Sequence, residues 1–215
     1  AERARAGHSS ALNIPDVDVH AVQRGFVVCT PHFFSPVRMV GARLRVLRDA
    51  PWPVVDRMRV RLHTGTADPL GEVVLLDSQS LAPGASGLVQ LRLSEPVVCA
   101  PGDRFVLRLA SPAVTLGGGV VLEESRYRLK RFKEFVLGEL ARQEQSLDSP
   151  SALLESVLAR CGFELVSRAD LAHAIKRSEA ETDELLSELA ANGSAVELAA
   201  GAGRAQARWI HVDPL

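Results

Sequence analysis

The sequence predicts a mainly β region followed by an α-helical one: an antiparallel β-barrel, then a linker helix and a winged-helix domain. From about residue 37 to residue 123, short apolar stretches alternate with turns rich in proline and glycine, which is typical of barrels and sandwiches. After Glu124 the apolar spacing changes from about two residues to about 3.6, the period of a helix. With 215 residues, 47% of them hydrophobic, the chain can bury more than one small core.

Residues 1–36 contain two strand-like stretches, Leu12–Ile14 and Gly25–Cys29. They are too short to bury a core alone, so we expect this segment to be the C-terminal part of a second β-barrel domain. The first ten residues lack the apolar core of a secretory signal. The chain also has no apolar run near the roughly 20 residues of a membrane span. We therefore expect a cytoplasmic protein without a membrane partner.

Residues 37–124 form the predicted barrel domain. Turn sequences such as Ala82-Pro83-Gly84 and Ser111-Pro112 separate six stretches that have strand character. The predicted strands are Met39–Leu47, Arg57–His63, Gly71–Leu76, Gly87–Leu93, Arg104–Leu109 and Gly118–Glu123. The run Gly117-Gly118-Gly119 opens a strand, whereas a phosphate-binding loop would open a helix. The run therefore predicts a tight turn or a bulge with close backbone approach.

Residues 125–150 are predicted to be a basic linker, with a helix over about 126–145 that ends at Ser146–Pro150. One helical stripe is apolar: Leu129, Phe132, Val136 and Leu140. The start of this helix is basic, through Arg126, Arg128, Lys130, Arg131 and Lys133. A solvated helix face explains these charges somewhat better than contact with a nucleic-acid backbone.

Residues 151–215 predict three helices and a hairpin, the arrangement of a winged helix. The first helix is Ser151–Cys161, and the other two begin at serines with capping-box spacing. Ser167 precedes Asp170 by three residues, and Ser178 precedes Glu181 by three. The predicted hairpin pairs Val196–Leu198 with Arg208–Val212.

No motif for catalysis or metal binding is present. The sequence lacks GxxxxGK[ST], a GxGxxG that opens a helix, and GxSxG. Six histidines are scattered without an i, i+4 pair, and three cysteines (Cys29, Cys99 and Cys161) lie far apart. We expect no catalytic residue, cofactor, metal or disulfide in this segment.

The net charge of −1 is the sum of a basic N-terminal part and an acidic C-terminal part. Residues 1–149 hold 19 basic and 16 acidic residues, whereas residues 150–215 hold 6 and 10. The third helix of the acidic part carries Glu179, Glu181, Asp183, Glu184 and Glu188, where a helix-turn-helix reader needs basic or amide side chains. We therefore expect that domain to be a spacer or a protein-contact module.

Arginines concentrate in the barrel region. Because side chains alternate along a strand, Arg57, Arg59, Arg61 and His63 project from one face. Arg43 and Arg45 repeat the pattern on the preceding strand, which we expect to be adjacent. Two arginine-rich strands side by side would form a track for a phosphate backbone. An ordinary solvated outer face is about equally compatible with the pattern.

The barrel and its flanks resemble the selenocysteine-specific elongation factors, SelB. The segments that carry the resemblance to the third domain of this family are Arg61–Thr66, Gly71–Leu76, Leu81–Gly84, Val89–Leu93, Pro101–Arg108 and Ser111–Val121. The last two are also similar to the end of the third barrel in elongation factor Tu. Ala6–Ile14 and Val22–Gly25 look like the end of the second barrel. The order and spacing of these segments make the resemblance specific.

The resemblance implies an elongation-factor-Tu-like barrel of a GTPase that delivers selenocysteinyl-tRNA to the ribosome. In that family the third barrel grips the tRNA acceptor and T stems, which implies contacts from Arg57, Arg59, Arg61, His63, Thr64 and Ser111. With the charge pattern, the candidate RNA-binding set also includes Arg43, Arg45, Arg126 and Arg128. GTP and Mg²⁺ would be bound by a nucleotide domain whose motifs are absent from this sequence. The mRNA hairpin would be read only by later winged-helix repeats, which this sequence does not contain.

One departure from the family lies near the aminoacyl end of the tRNA. Family members commonly carry an arginine ahead of the Ala-Leu-Asn motif, where this sequence has Gly7-His8-Ser9. Ser9 takes the place of the arginine, and His8 is the nearest basic candidate. Two other functions are compatible with the sequence: a tRNA- or ribosome-binding barrel of another translation GTPase, and a winged-helix regulator.

Overall fold

A closed six-stranded antiparallel barrel is the centre of the computed structural model, which describes residues 7–31, 33–198 and 207–213. The strand order is β1-β6-β4-β3-β7-β8. The barrel strands are β1 (Val37–Val46), β3 (Met58–His63), β4 (Leu70–Leu75), β6 (Ser86–Val97), β7 (Arg104–Leu109) and β8 (Thr115–Glu124). The short strands β2 (Val54–Val55) and β5 (Ser80–Leu81) pair with each other. All six predicted strands are therefore confirmed.

Every second side chain along the strands points inward, and these side chains fill the barrel interior. Val60 and Leu62 are almost fully buried there, as the alternating pattern of β3 predicts. Strand β4 differs, because it is buried on both faces near its C-terminal end. Val73 and Leu75 lie inside the barrel, whereas Val74 belongs to a second apolar cluster outside it.

The glycine run lies inside β8, between β1 and β7, and not at a turn. A Cβ at Gly119 would overlap the carbonyl oxygen of Arg43, and one at Gly118 would lie 2.6 Å from the carbonyl oxygen of Phe105. The expected close backbone approach is confirmed. It occurs where two neighbouring strands lie against β8 on either side.

The predicted helix over 126–145 is wrong in its first half. The helix α1 spans Glu134–Ser146 only, and residues 126–133, here called the connector, run over the outer surface of the barrel without helical structure. The amide of Gln90 donates to the carbonyl oxygen of Tyr127 at 2.8 Å and accepts from the backbone of Leu129 at 3.1 Å. Hydrogen bonds to the barrel thus replace those that a helix would make.

Arg131 fixes the end of the connector. Its guanidinium donates to the carbonyl oxygen of Leu75 and to the carboxylate of Asp56, both at 2.7 Å, and to the carbonyl oxygen of Ser78 at 3.0 Å. Asp56 also accepts a hydrogen bond from the backbone of Leu75. Helix α1 then packs over the outer apolar cluster through Leu140. The helix and the connector together cover this wall of the barrel.

The C-terminal region has the helix–strand–helix–helix–strand–strand order of a winged helix. Its elements are α2 (Pro150–Arg160), β9 (Val166–Ser167), α3 (Arg168–Ile175), α4 (Glu179–Ala191), β10 (Ala195–Leu198) and β11 (Arg208–His211). The strands form one sheet in the order β10-β11-β9. Ser167 and Ser178 cap the helices that they were predicted to open, and Ser178 forms a full capping box with Glu181. The predicted wing loop, residues 200–204, lies outside the described residues.

The N-terminal segment has no strand among its described residues, 7–31 and 33–36. The two strands predicted at Leu12–Ile14 and Gly25–Cys29 are therefore wrong; a short 3-10 helix, Val19–Ala21, is present instead. The closed barrel offers this segment no free strand edge to join, and Leu12 is 64% exposed. It touches the barrel at Arg24, whose guanidinium donates to the carbonyl oxygen of Thr66 at 3.1 Å. Its assignment to a second barrel domain, like the other domain limits, stays a prediction.

Two negative findings hold for the described part of the chain. None of its helices has the length and apolar character needed to cross a membrane. No group of three or more histidine, cysteine, aspartate or glutamate side chains there could hold a metal ion.

We predict that Gly119→Ala prevents the barrel from closing, because its Cβ would overlap the neighbouring strand. The free energy of unfolding, measured by urea denaturation, should fall by about 4 kcal/mol or more. Gly138→Ala is the matched control, since Gly138 is an exposed helical residue with open space around it. That variant should gain about 0.5–1 kcal/mol. Equal stability of the two variants would contradict the close approach.

We predict that Arg131→Ala loosens the connector, because it removes the four hydrogen bonds of the guanidinium and leaves the Asp56 carboxylate without its main partner. The free energy of unfolding should fall by about 2–4 kcal/mol. Lys133→Ala is the control, because Lys133 is exposed and makes no capping hydrogen bond through its side chain. It should change stability by less than about 0.5 kcal/mol. A similar small change in both variants would show that Arg131 does not fix the connector.

Candidate RNA-binding surface

The barrel order separates the two arginine-rich strands. Two strands lie between β1 and β3 in either direction around the barrel, so these strands stand on opposite walls. The expected adjacency of Arg43 and Arg45 to Arg59 and Arg61 is therefore wrong. The physical reason is that β1 pairs with β6 and β8, which are distant in sequence, and not with the strand that follows it.

Arg43 forms internal ion pairs on the β1 wall. Its guanidinium makes a bidentate contact with Glu144 of α1, at 2.9 Å from Nε and 2.5 Å from Nη2. It also lies 3.9 Å from the carboxylate of Asp77. Arg43 therefore attaches α1 to the barrel, whereas Arg45 on the same strand is exposed.

The opposite wall carries a row of charges across three strands. Arg59 on β3 pairs in register with Glu72 on β4, which pairs with Arg92 on β6. The Glu72 carboxylate lies 3.7 Å from the guanidinium of Arg57 and 3.9 Å from that of Arg92. Burial and then the nearby Arg128 cation lower the pKa of Arg92, so Arg128 of the connector belongs to the same cluster.

A second row continues the positive charge onto β7. Arg61 pairs in register with Arg108, and both are partly exposed. The guanidinium of Arg61 donates to the carbonyl oxygen of Asp68 at 2.8 Å, and that of Arg108 to the carbonyl oxygen of Ala113 at 3.0 Å. Arg104 lies four residues before Arg108 on the same face of β7 and is exposed. We call the whole set the arginine face: Arg57, Arg59, Arg61, Arg92, Arg104, Arg108 and Arg128.

Three members of the arginine face, Arg92, Arg104 and Arg108, were missed as site residues by sequence reasoning. Each alternates with buried apolar neighbours, a signal that was available in the sequence. What the sequence did not provide was the strand order that places β6 and β7 on the same wall as β3. Every basic side chain ahead of Lys130, apart from histidines, is an arginine. The guanidinium fork matches phosphate in a bidentate manner.

The other predicted contacts lie in several places. Thr64 is buried at the β3–β4 turn, where its backbone pairs with that of Ala67, and His63 next to it is partly exposed. Ser111 is exposed in the β7–β8 turn, and Arg126 is exposed in the connector. The aminoacyl-end candidates His8 and Ser9 are exposed in the irregular N-terminal segment, and their role stays a prediction.

A cleft of about 220 Å³ lies between the N-terminal segment and one end of the barrel. Phe34, Thr64, Cys99 and Arg104 are among the residues that line it. Burial raises the pKa of the Cys99 thiol to about 12, so this cysteine is protonated near neutral pH. The cleft therefore has no thiolate nucleophile.

The winged helix carries the opposite charge. Arg168 lies 2.8 Å from Glu179 and 3.5 Å from Asp183, so the acidic α4 already engages this basic side chain. Lys176 lies 3.0 Å from Glu124 at the end of β8. These basic residues of the region form contacts within the protein, and α4 offers a predominantly acidic surface.

In comparison with known proteins, the chain is similar to parts of translation elongation factors. Over 127 residues the chain is 31% identical to elongation factor Tu 2 of Streptomyces avermitilis, covering 57% of this chain and 33% of that protein. Over 131 residues it is 30% identical to the selenocysteine-specific elongation factor of Desulfomicrobium baculatum, covering 61% of this chain and 21% of that protein. The chain thus spans a fifth to a third of the length of these relatives.

The match to a family model is more specific. Residues 41–127 match the β-barrel domain of selenocysteine-specific elongation factors, SelB, so the barrel is similar to the barrel domain of that family. A crystal structure of a bacterial selenocysteine-specific elongation factor is similar with a TM-score of 0.49 and 20% identity, over 77% of this chain and 24% of that one.

Proposed function

We propose that this chain is part of a selenocysteine-specific elongation factor and that its arginine face binds the tRNA that the factor brings to the ribosome. The cargo in this proposal is selenocysteinyl-tRNA. GTP and Mg²⁺ would act in a nucleotide domain of the intact factor, and the residues of this chain would bind and orient RNA. The SelB barrel match supports the class of protein.

The observation that carries the proposal is the excess of guanidinium groups on one wall of the barrel. Seven arginines share this wall, and the carboxylates within 4 Å of them are those of Asp56, Asp68 and Glu72. Glu72 lies within 4 Å of two of these guanidiniums, and Asp56 is shared with Arg131 of the connector. Such a cluster repels itself unless an anion binds, and RNA phosphates provide anions in a regular series.

The geometry of the face fits a helical stem. Alternate residues along a strand are about 6.8 Å apart, and neighbouring strands about 4.8 Å, so the face is a regular grid of donors. Double-stranded RNA is recognised mostly by shape and by contacts with phosphates and 2′-hydroxyls, because its major groove is too narrow for side chains. A rigid barrel wall with arginines at fixed spacing can make such contacts without reading a sequence.

A second function is supported by the 31% identity to elongation factor Tu 2. The barrel would then bind a different aminoacyl-tRNA, since stem contacts through phosphates do not identify the cargo. A winged-helix regulator of DNA is the least supported alternative, because the acidic α4 would repel a duplex.

We predict that Arg59→Ala weakens tRNA binding by the 215-residue chain and lowers the magnitude of its log–log salt slope by about 1, because one phosphate contact is lost. Fluorescence anisotropy with labelled tRNA over a series of salt concentrations measures both quantities. Arg45→Ala is the matched control: it removes the same charge from an exposed strand position on the opposite wall. We expect its salt slope to equal that of the unmodified chain.

Equal effects of the two substitutions would mean that binding is diffuse and not located on the arginine face. Absence of tRNA binding by the unmodified chain would reject the proposed function. The cargo is tested in the same assay with selenocysteinyl-tRNA, another aminoacyl-tRNA and their uncharged forms. Equal affinity for both charged species would favour the broader elongation-factor role.

A further inference from the structure

The connector and the start of α1 expose an unusual number of aromatic rings. Three of the ten aromatic residues in the chain fall within nine positions. Tyr127 is 80% exposed, Phe132 48% and Phe135 71%. By contrast, Phe105 in the barrel and Trp209 in the winged helix are buried. Single exposed aromatic residues are common on protein surfaces, whereas a cluster of them indicates a binding surface.

Tyr127 is the most exposed of the three, and its backbone is held in place. Its carbonyl oxygen accepts from the buried amide of Gln90 at 2.8 Å, and Leu129, two residues on, packs in the outer apolar cluster. The ring of Phe132, in contrast, already has the guanidinium of Arg131 at 5.0 Å from its centroid. Tyr127 thus presents a ring from a fixed backbone, which lowers the entropy lost on binding.

The surroundings of Tyr127 are cationic. Arg126 and Arg128 flank it in sequence and are both exposed. Arg128 is close enough to Arg92 to lower the pKa of that guanidinium, which places the connector at the border of the arginine face. An aromatic ring between positive charges is the combination that binds unpaired nucleotides: the charges attract the backbone and the ring stacks on a base.

We propose that Tyr127 is a stacking platform for an unpaired nucleotide of bound RNA, with Arg126 and Arg128 holding the adjacent phosphates. This inference rests on the proposed function for the presence of RNA, but it assigns a different chemistry, stacking on a base, to the connector, which shares only Arg128 with the arginine face. The arginine face contacts the backbone of a paired stem. Tyr127 contacts a base that is free of pairing, at the edge of that stem.

The chain offers a direct probe because Tyr127 is its only tyrosine. Biosynthetic incorporation of 3-fluorotyrosine gives a single ¹⁹F resonance that reports on this ring alone. Titration with the single-stranded octanucleotide U₈ should shift the resonance, with the same concentration dependence as binding. An eight-base-pair RNA duplex should bind through its phosphates and leave the resonance nearly unchanged. Equal shifts with both RNAs would overturn the stacking assignment.

Substitution gives a second readout with a conservative control. Tyr127→Ala should weaken binding of U₈ about 5- to 150-fold, the range that corresponds to one lost base–aromatic stack. Tyr127→Phe keeps the ring and should bind within about two-fold of the unmodified chain. The salt slope should be the same for all three proteins, because no charge changes.

The outcomes separate this inference from the proposed function. Normal tRNA binding with no response of the fluorine signal to U₈ would reject the stacking platform and leave the arginine face intact. A Tyr127→Ala variant that binds U₈ as well as Tyr127→Phe would also reject it. Loss of all RNA binding by the unmodified chain would reject both proposals together.

Discussion

Closure of the barrel is the constraint on which the rest of the structure depends. Six strands can close only if β8 fits between β1 and β7, and the glycines at 117–119 permit that fit because they have no Cβ to overlap the neighbouring carbonyl groups. Closure then places β1 and β3 on opposite walls. The arginines on these strands, similar in sequence, therefore have different surroundings and different roles.

Different parts of the outer surface of the barrel serve internal packing and the proposed RNA binding. The outer apolar cluster, which includes Val74 of β4, Leu88 of β6 and Leu122 of β8, is covered by α1 and the connector, and Arg43 and Arg131 form the ionic contacts that hold this cover. Along β6 the outer side chains change from Leu88 through Gln90 to Arg92. Beyond that boundary the arginine face begins.

Sequence reasoning predicted the barrel strands and the helix caps because their signals are local. Alternation identified Val60 and Leu62 as interior residues, and serine capping located the start of α4. The predictions that were wrong depended on distant contacts. The apolar residues Leu129 and Phe132 have helical spacing with Val136 and Leu140, but Gln90 and Asp56 supply hydrogen bonds that hold the connector in a non-helical conformation. The sequence likewise did not indicate which strands are adjacent, because β1 pairs with strands that are remote in sequence.

The central claim is that RNA binds one wall of the barrel and not the other, and chemical protection of arginines tests it most directly. Phenylglyoxal modifies exposed guanidinium groups, and mass spectrometry locates each modified residue in the chain with and without bound tRNA. We predict that tRNA protects Arg59, Arg104 and Arg108, whereas Arg45 stays reactive. Protection of Arg45 with undiminished reactivity of Arg59 would contradict the account.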